Sequence, residues 1–240
     1  FINDTALGAA LFFGWSCLFI SLLFSFELND RERRLAAARE EALSARMRAL
    51  RYQINPHFLF NTLSSIAGLI EEGSAAQAGR MVLSLSTFLR TTLSLDPLHD
   101  VPLADELALQ QDYLAIERAR YCDRMDFTID APAEALQALV PSLLLQPLIE
   151  NAIKHGVGPS LGHTRIRISA RRRNERLWLA VENDLDANAP RRTEAAGFGI
   201  GLRNVAERIR VRFGEAGALR VDTSSGTHFR AEIELPWKVA

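Results

Sequence analysis

SLLLQPLIENAIKHG, residues 142–156, decides the fold class of this 240-residue chain. Pro141 stands at its head and Gly156 at its end, the bracketing expected of a helix. Leu145, Leu148, Ile149 and Ile153 recur at helical spacing and suit a buried face. Lys154 and His155 follow Asn151 by three and four positions, so all three can share the other side. An amide oxygen can ligate Mg2+, while an ammonium and an imidazole can hold phosphates. On its own the segment reads equally well as a polar helix end in solvent.

The sequence around it alternates helix and strand. A helix is predicted over 104–120, with Asp105 and Glu106 in the first turn, where the helix dipole favours acids. Strands follow over 126–129, 165–169 and 177–181, the last two joined at Asn174 and Glu175 as a hairpin. A glycine-rich turn enters a helix over 202–213, and two final strands flank residues 224–226. An antiparallel sheet backed by helices gives an α+β domain.

Three further features in this half carry possible chemistry. GFGIG at 197–201 precedes a helix, where bare backbone and free N–H groups can approach an anion. It follows a polar stretch rather than a tight strand-turn, which argues for a mobile lid over a nucleotide and against a dinucleotide fold. VEND at 181–184 ends a strand, where a side-chain acceptor could take an adenine amino group. Thr227, opening the last strand, could reach adenine or a bridging water.

The N-terminal half is helical. RYQINPHFLFNTLSSI at 51–66 places Asn61 one turn from His57 and Pro56 beside it. Alone, His57 reads most simply as a packed histidine; with a nucleotide site elsewhere it becomes a candidate phosphoryl acceptor. A long helix is predicted over 29–70, kinked at Pro56. A turn at 71–74 leads to a second helix over 75–95 with Met81, Leu85, Phe88 and Leu89 on one stripe. One hairpin buries too little, so two copies are expected to form a four-helix bundle in a homodimer. Pro97 and Pro102 mark a boundary. The expected domains are 1–28, a membrane helix; 29–96, the helical hairpin; and 97–240, the α+β domain.

Residues 7–26 are almost wholly apolar and long enough to span a bilayer. Arg31, Arg33 and Arg34 follow, so the rest of the chain is expected on the cytoplasmic side. The formal net charge of -1 gives no case for direct nucleic-acid binding. Cys17 and Cys122 match no metal or disulfide spacing.

INPHFLFN at 54–61, YLAIE at 113–117 and QPLIENAIKHG at 146–156 together resemble the sensor histidine kinases of the LytS and YehU type. Their ATP-binding domain belongs to the GHKL superfamily, an α/β sandwich. The resemblance runs from Arg46 to Pro236 and implies a bacterial inner-membrane protein with a cytoplasmic kinase core. It implies ATP and Mg2+ as cofactors. His57 would be the phosphoacceptor, with Asn61 supporting a possible regulator phosphatase activity. Asn151 would hold Mg2+, Lys154 and His155 the phosphates, and Asn183 and Thr227 the adenine. Gly197, Gly199, Gly201 and Leu202 would form the lid side of the ATP site. A response regulator, in this family often of the LytTR type, would take the phosphoryl group.

Two positions depart from the family pattern. Relatives commonly show Asp-Asn-Gly where this chain has Asn183, Asp184 and Leu185. Phe58 stands where many histidine kinases place an acid. Gyrase- and Hsp90-like ATPases carry a glutamate four residues before the metal-binding Asn; here that residue is Pro147, which favours transfer over hydrolysis. A degenerate kinase that only dimerises and senses is the other rival, opposed by the intact Asn151 and Lys154.

Overall fold

The computed structural model describes residues 55–96, 99–160, 162–185, 200–223 and 227–239, with scattered helical positions between 14 and 36. Residues Phe1–Ile54 and Asn55–Ala240 form two separate compact units. Most of the expected membrane span and most of residues 29–54 lie outside the described residues. Among the described residues, no helix is long and apolar enough to cross a membrane.

Helix α1 (Pro56–Glu71) begins at the proline itself. Asn55 is extended, with φ -69° and ψ 110°, as the residue before a proline prefers. Its Oδ1 accepts from the backbone N–H of His57 and Phe58 at 3.1 and 3.4 Å. The expected kink within one long helix is therefore corrected: Pro56 opens a helix, where its missing donor costs nothing. Gly73, with φ +77°, turns the chain into α2 (Ala75–Ser94). Backbone bonds from Gly73 to Ile70 and from Ser74 to Leu69 close that turn.

Phe58, Thr62 and Ile66 are the buried stripe of α1, and Ala78, Met81, Leu85, Phe88 and Thr92 that of α2. Both stripes pack against α3 (Leu103–Tyr121) of the same chain. The rings of Phe58, Phe88 and Tyr113 meet there, with centroids 4.8 to 5.5 Å apart.

After α3 come a 3₁₀ turn, β2 (Met125–Asp130), the single-turn α4 (Ala133–Leu136) and β3 (Leu139–Pro141). β3 pairs antiparallel with the short β1 (Asp100–Pro102). Helix α5 (Gln146–Ala152) leads to β4 (Thr164–Arg173) and β5 (Arg176–Asp184). Asn174, at φ +54°, supplies the left-handed residue of their two-residue turn. Helix α6 (Ile200–Phe213), β6 (Ala218–Asp222) and β7 (His228–Pro236) complete the fold. The main sheet has the order β2–β4–β5–β7–β6, with only the β2–β4 pair parallel. Side-chain alternation sends Ile168, Val181 and Ala231 inward in one row, and Ala170, Leu179 and Ile233 in the next. Arg167, Glu182 and Arg230 form a charged row on the other face.

The segment 142–156 is not one helix. Pro141 ends β3, Leu143 is left-handed at φ +58°, and α5 starts only at Gln146 with Pro147 in its first turn. The cause is Glu106. Its carboxylate, buried under α3, accepts from the backbone N–H of Leu143 and Leu145 at 2.8 and 2.9 Å. Arg208 on α6 donates to the Ser142 carbonyl at 2.7 Å. Loop 142–145 is thus held by side chains from two helices rather than by helical bonds.

Candidate functional site

His57 occupies the second position of α1 and is exposed. The Asn61 amide nitrogen lies 3.1 Å from its Nδ1 and 3.2 Å from its Nε2. A point so nearly equidistant would collide with ring atoms if it lay in the ring plane, so the amide rests over the ring face. Asn61 therefore leaves open the in-plane directions of both nitrogens, the lone pair of one and the N–H of the other. The dipole of the first turn adds positive potential beside the ring.

That turn is fastened on both sides of His57. Phe58 is buried among Phe88 and Tyr113. Asn55 Nδ2 donates to Glu150 Oε2 on α5 at 3.1 Å, and Glu150 Oε1 accepts from Gln146 at 3.0 Å. Beneath them Tyr113 hydrogen-bonds to Glu117, and Arg120 binds Glu117 through two nitrogens. Burial raises the Glu117 carboxyl, with Arg120 opposing the shift. Burial also raises the Tyr113 hydroxyl well above its usual range, and the Glu117 charge adds to this.

Asn151 is half-buried near the end of α5. Lys154 and His155 lie exposed in the wider π turn Ile153–Val157, so the simple helical face expected for all three is loosened there. π turns inserted in helices are frequent at functional sites. Contrary to the expectation from sequence, Gly156 does not stop the helix. It is buried inside this turn, and a Cβ there would stand 2.4 Å from Asn183 Nδ2 and 3.2 Å from the Asp184 carbonyl.

Asn183 is the polar member of an apolar row. The register sets it opposite Ile166 and Phe229 on the core side of the sheet. It is 2% exposed. Its Nδ2 donates to the Asp184 carbonyl at 2.9 Å, which fixes the amide's orientation. Its Oδ1 is buried and has no partner among the described residues. An orphaned acceptor of this kind is costly unless a ligand or water completes it. An adenine amino group suits it, and the missing Cβ at Gly156 makes room for the Asn183 amide itself. Asp184 is engaged elsewhere, with the Arg165 N–H and His228, each at 3.1 Å.

Of the other expected residues, Thr227, Gly201 and Leu202 are among those described. The Thr227 carbonyl accepts from Leu185 N at 2.8 Å, so that loop abuts the end of β5. Gly201 lies in the first turn of α6, where an added Cβ would stand 3.8 Å from Pro147 Cβ, and Leu202 is buried. Gly197 and Gly199 lie outside the described residues. A polar cleft of about 240 Å³ takes in Asn183 with Arg165, Arg167 and His228, but not Asn151, Lys154 or His155. Among the described residues no three acidic, histidine or cysteine side chains form a metal cluster. One amide oxygen with phosphate oxygens and water is still an ordinary Mg2+ shell.

Residues 45–125 match the histidine kinase family, and residues 138–238 match the histidine kinase-, DNA gyrase B-, and HSP90-like ATPase family. The sensor histidine kinase BtsS of Escherichia coli strain K12 is 40% identical over 192 residues, covering 80% of this chain and 33% of that protein. This chain belongs to the LytS-type sensor histidine kinases. Sensor histidine kinase YesM of Bacillus subtilis strain 168 is 37% identical over 191 residues, 79% of this chain and 33% of that protein. The sensor histidine kinase/phosphatase LytS of Staphylococcus aureus strain N315 is 30% identical over 203 residues, 77% and 33%. The chain spans about a third of the length of these curated relatives. Its catalytic domain is the family's α/β type, with a mixed sheet and helices.

Sequence reasoning missed Asn55, Glu106 and the structural role of Glu150. Asn55 had a readable signal, since Asn before Pro is a strong helix-start pair. Glu106 had none, because its partners are backbone amides almost forty residues away.

Proposed function

We propose that this chain is the kinase core of a two-component sensor, transferring the γ-phosphoryl group of ATP to His57 and then to a response regulator aspartate. The observation that carries the reading is the exposed His57 imidazole, with the in-plane directions of its nitrogens left open by Asn61, on a helix end secured to the ATP-domain helix α5. Bound MgATP supplies the phosphoryl group, and the cation offsets its charge.

The chain's own residues then have distinct tasks. Asn183 Oδ1 accepts the adenine amino hydrogen, and Thr227 lies at the adenine edge. Lys154 and His155 hold phosphate oxygens, and Asn151 offers its amide oxygen to Mg2+. Gly197, Gly199, Gly201 and Leu202 serve the lid side. A His57 nitrogen forms the N–P bond as the P–O bond to ADP breaks, and the proton on the other nitrogen leaves to solvent. Neutral imidazole near pH 7 is a competent nucleophile. Positioning and charge neutralisation dominate such transfers.

Two copies are proposed to form the four-helix bundle. Phe60, Leu63, Ala67 and Ile70 make an exposed stripe on α1, and Val82 and Leu93 lie exposed on α2. This stripe is opposite the one used within the chain and suits a second copy. Residues 7–26 are proposed to anchor the core at the bacterial inner membrane, and a LytTR-type regulator is the proposed acceptor. Asn61 is proposed to orient water for regulator dephosphorylation; unchanged dephosphorylation by N61A would count against that role.

The test uses the full chain with γ-labelled ATP and Mg2+. Acid-labile label is expected, lost in His57→Gln and in Asn151→Ala. Acid-stable label, or label persisting in His57→Gln, refutes the proposal.

A further inference from the structure

We infer that Asn55 and Glu150 are positioning residues for transfer to His57, holding its turn against the Asn151-bearing helix of the same chain. The inference deepens the kinase reading and rests on it. Three observations carry it. Asn55 uses both ends of one amide: Oδ1 caps the His57 and Phe58 N–H groups, and Nδ2 reaches Glu150. Glu150 likewise divides its oxygens, one to Asn55 and one to Gln146 within α5. Phe58 anchors the far side of His57 in the ring cluster with Phe88 and Tyr113.

A helix cap alone does not require this arrangement. Aspartate caps as well as asparagine does, because capping needs only an acceptor. The donor end of Asn55 is surplus to capping and is spent on a residue 95 positions away in sequence. Glu150 is the immediate neighbour of Asn151. The link therefore ties the backbone of the acceptor histidine to the backbone of the residue proposed to hold Mg2+. It also gives Glu150 two amide partners, so its carboxylate is committed to this contact.

The sign of a substitution follows. Asn55→Asp keeps the cap acceptor, removes the donor and sets a carboxylate against Glu150. Adding Glu150→Gln supplies a donor from the α5 side, while the Gln oxygen still accepts from Gln146. The double variant therefore rebuilds the link with its polarity reversed.

The experiment measures labelling of His57 in the full chain at varied ATP, with helix content checked by circular dichroism. N55D is expected to lower the labelling rate at saturating ATP about tenfold, the scale of a modest misplacement of reacting groups. The KM for ATP should stay within about twofold, since no proposed nucleotide contact changes. N55D/E150Q should recover to within about threefold of the parent rate. A parent rate in N55D, a loss confined to KM, or no recovery in the double variant overturns the inference. An unlabelled parent chain overturns the kinase reading and this inference with it; a labelled parent with an unaffected N55D overturns this inference alone.

Discussion

Glu106→Ala removes the side-chain acceptor that holds Leu143 and Leu145 N–H in the loop before α5. Each buried N–H left unpaired costs ~1–3 kcal/mol, so the pair predicts a loss of ~2–6 kcal/mol. Arg208 loses its buried counter-charge as well, which places the result in the upper half of that range. Glu106→Gln keeps one acceptor oxygen and turns an amide N–H2 toward the second backbone N–H, so about half the loss is expected. Urea unfolding reads the difference. At a slope of ~2 kcal/mol per M, a 4 kcal/mol loss lowers the midpoint by about 2 M with the slope unchanged. The pH dependence is a second readout. Burial holds the folded Glu106 carboxyl above its ordinary range, outweighing the two amides and Arg208. The folded state then binds that proton more tightly than the unfolded chain does. Its contribution is full below about pH 4.3 and is lost as pH rises through the folded value; Glu106→Gln removes that slope. A Glu106→Ala midpoint equal to the parent's would refute the role given to this carboxylate.

Gly156→Ala drives a methyl into the Asn183 amide and the Asp184 carbonyl; calorimetry should find ATP binding weakened by at least about tenfold, equal to ~1.4 kcal/mol. Phe58→Ala empties one corner of the Phe58–Phe88–Tyr113 cluster, and a loss of ~3–5 kcal/mol is expected in urea unfolding. Phe60→Glu places a charge in the exposed α1 stripe, and light scattering should report a dimer for the parent and a monomer for the variant; a monomeric parent would remove the bundle.

The α+β domain was legible because its strands alternate cleanly and its hairpin turn carries Asn174. The register of β4, β5 and β7 places Asn183 in an otherwise apolar row, and an alternating strand ending in a polar residue is visible in sequence. What was not legible depends on distant partners. The start of α5 looked like Pro141 because a proline heads an apolar run; Glu106 holds the non-helical loop before Gln146 by binding the Leu143 and Leu145 amides, the second of which a helix from Pro141 would have used. Gly156 looked like a helix stop because glycine commonly is one, whereas here its missing Cβ admits Asn183. Pro56 looked like a kink because 29–70 is rich in helix formers, yet Asn55 beside it is a cap. The His57 and Asn151 segments were each readable alone. The hydrogen bond joining them, Asn55 to Glu150, is a tertiary contact that local patterns do not encode.

The central claim is that His57 itself becomes phosphorylated, and peptide mapping of the chain after incubation with MgATP tests it most directly. With an alkaline work-up that preserves phosphoramidates, the phosphate should reside on His57 in the peptide spanning 52–80. Phosphate on any other residue, or none on His57 while ATP is consumed, would contradict the account.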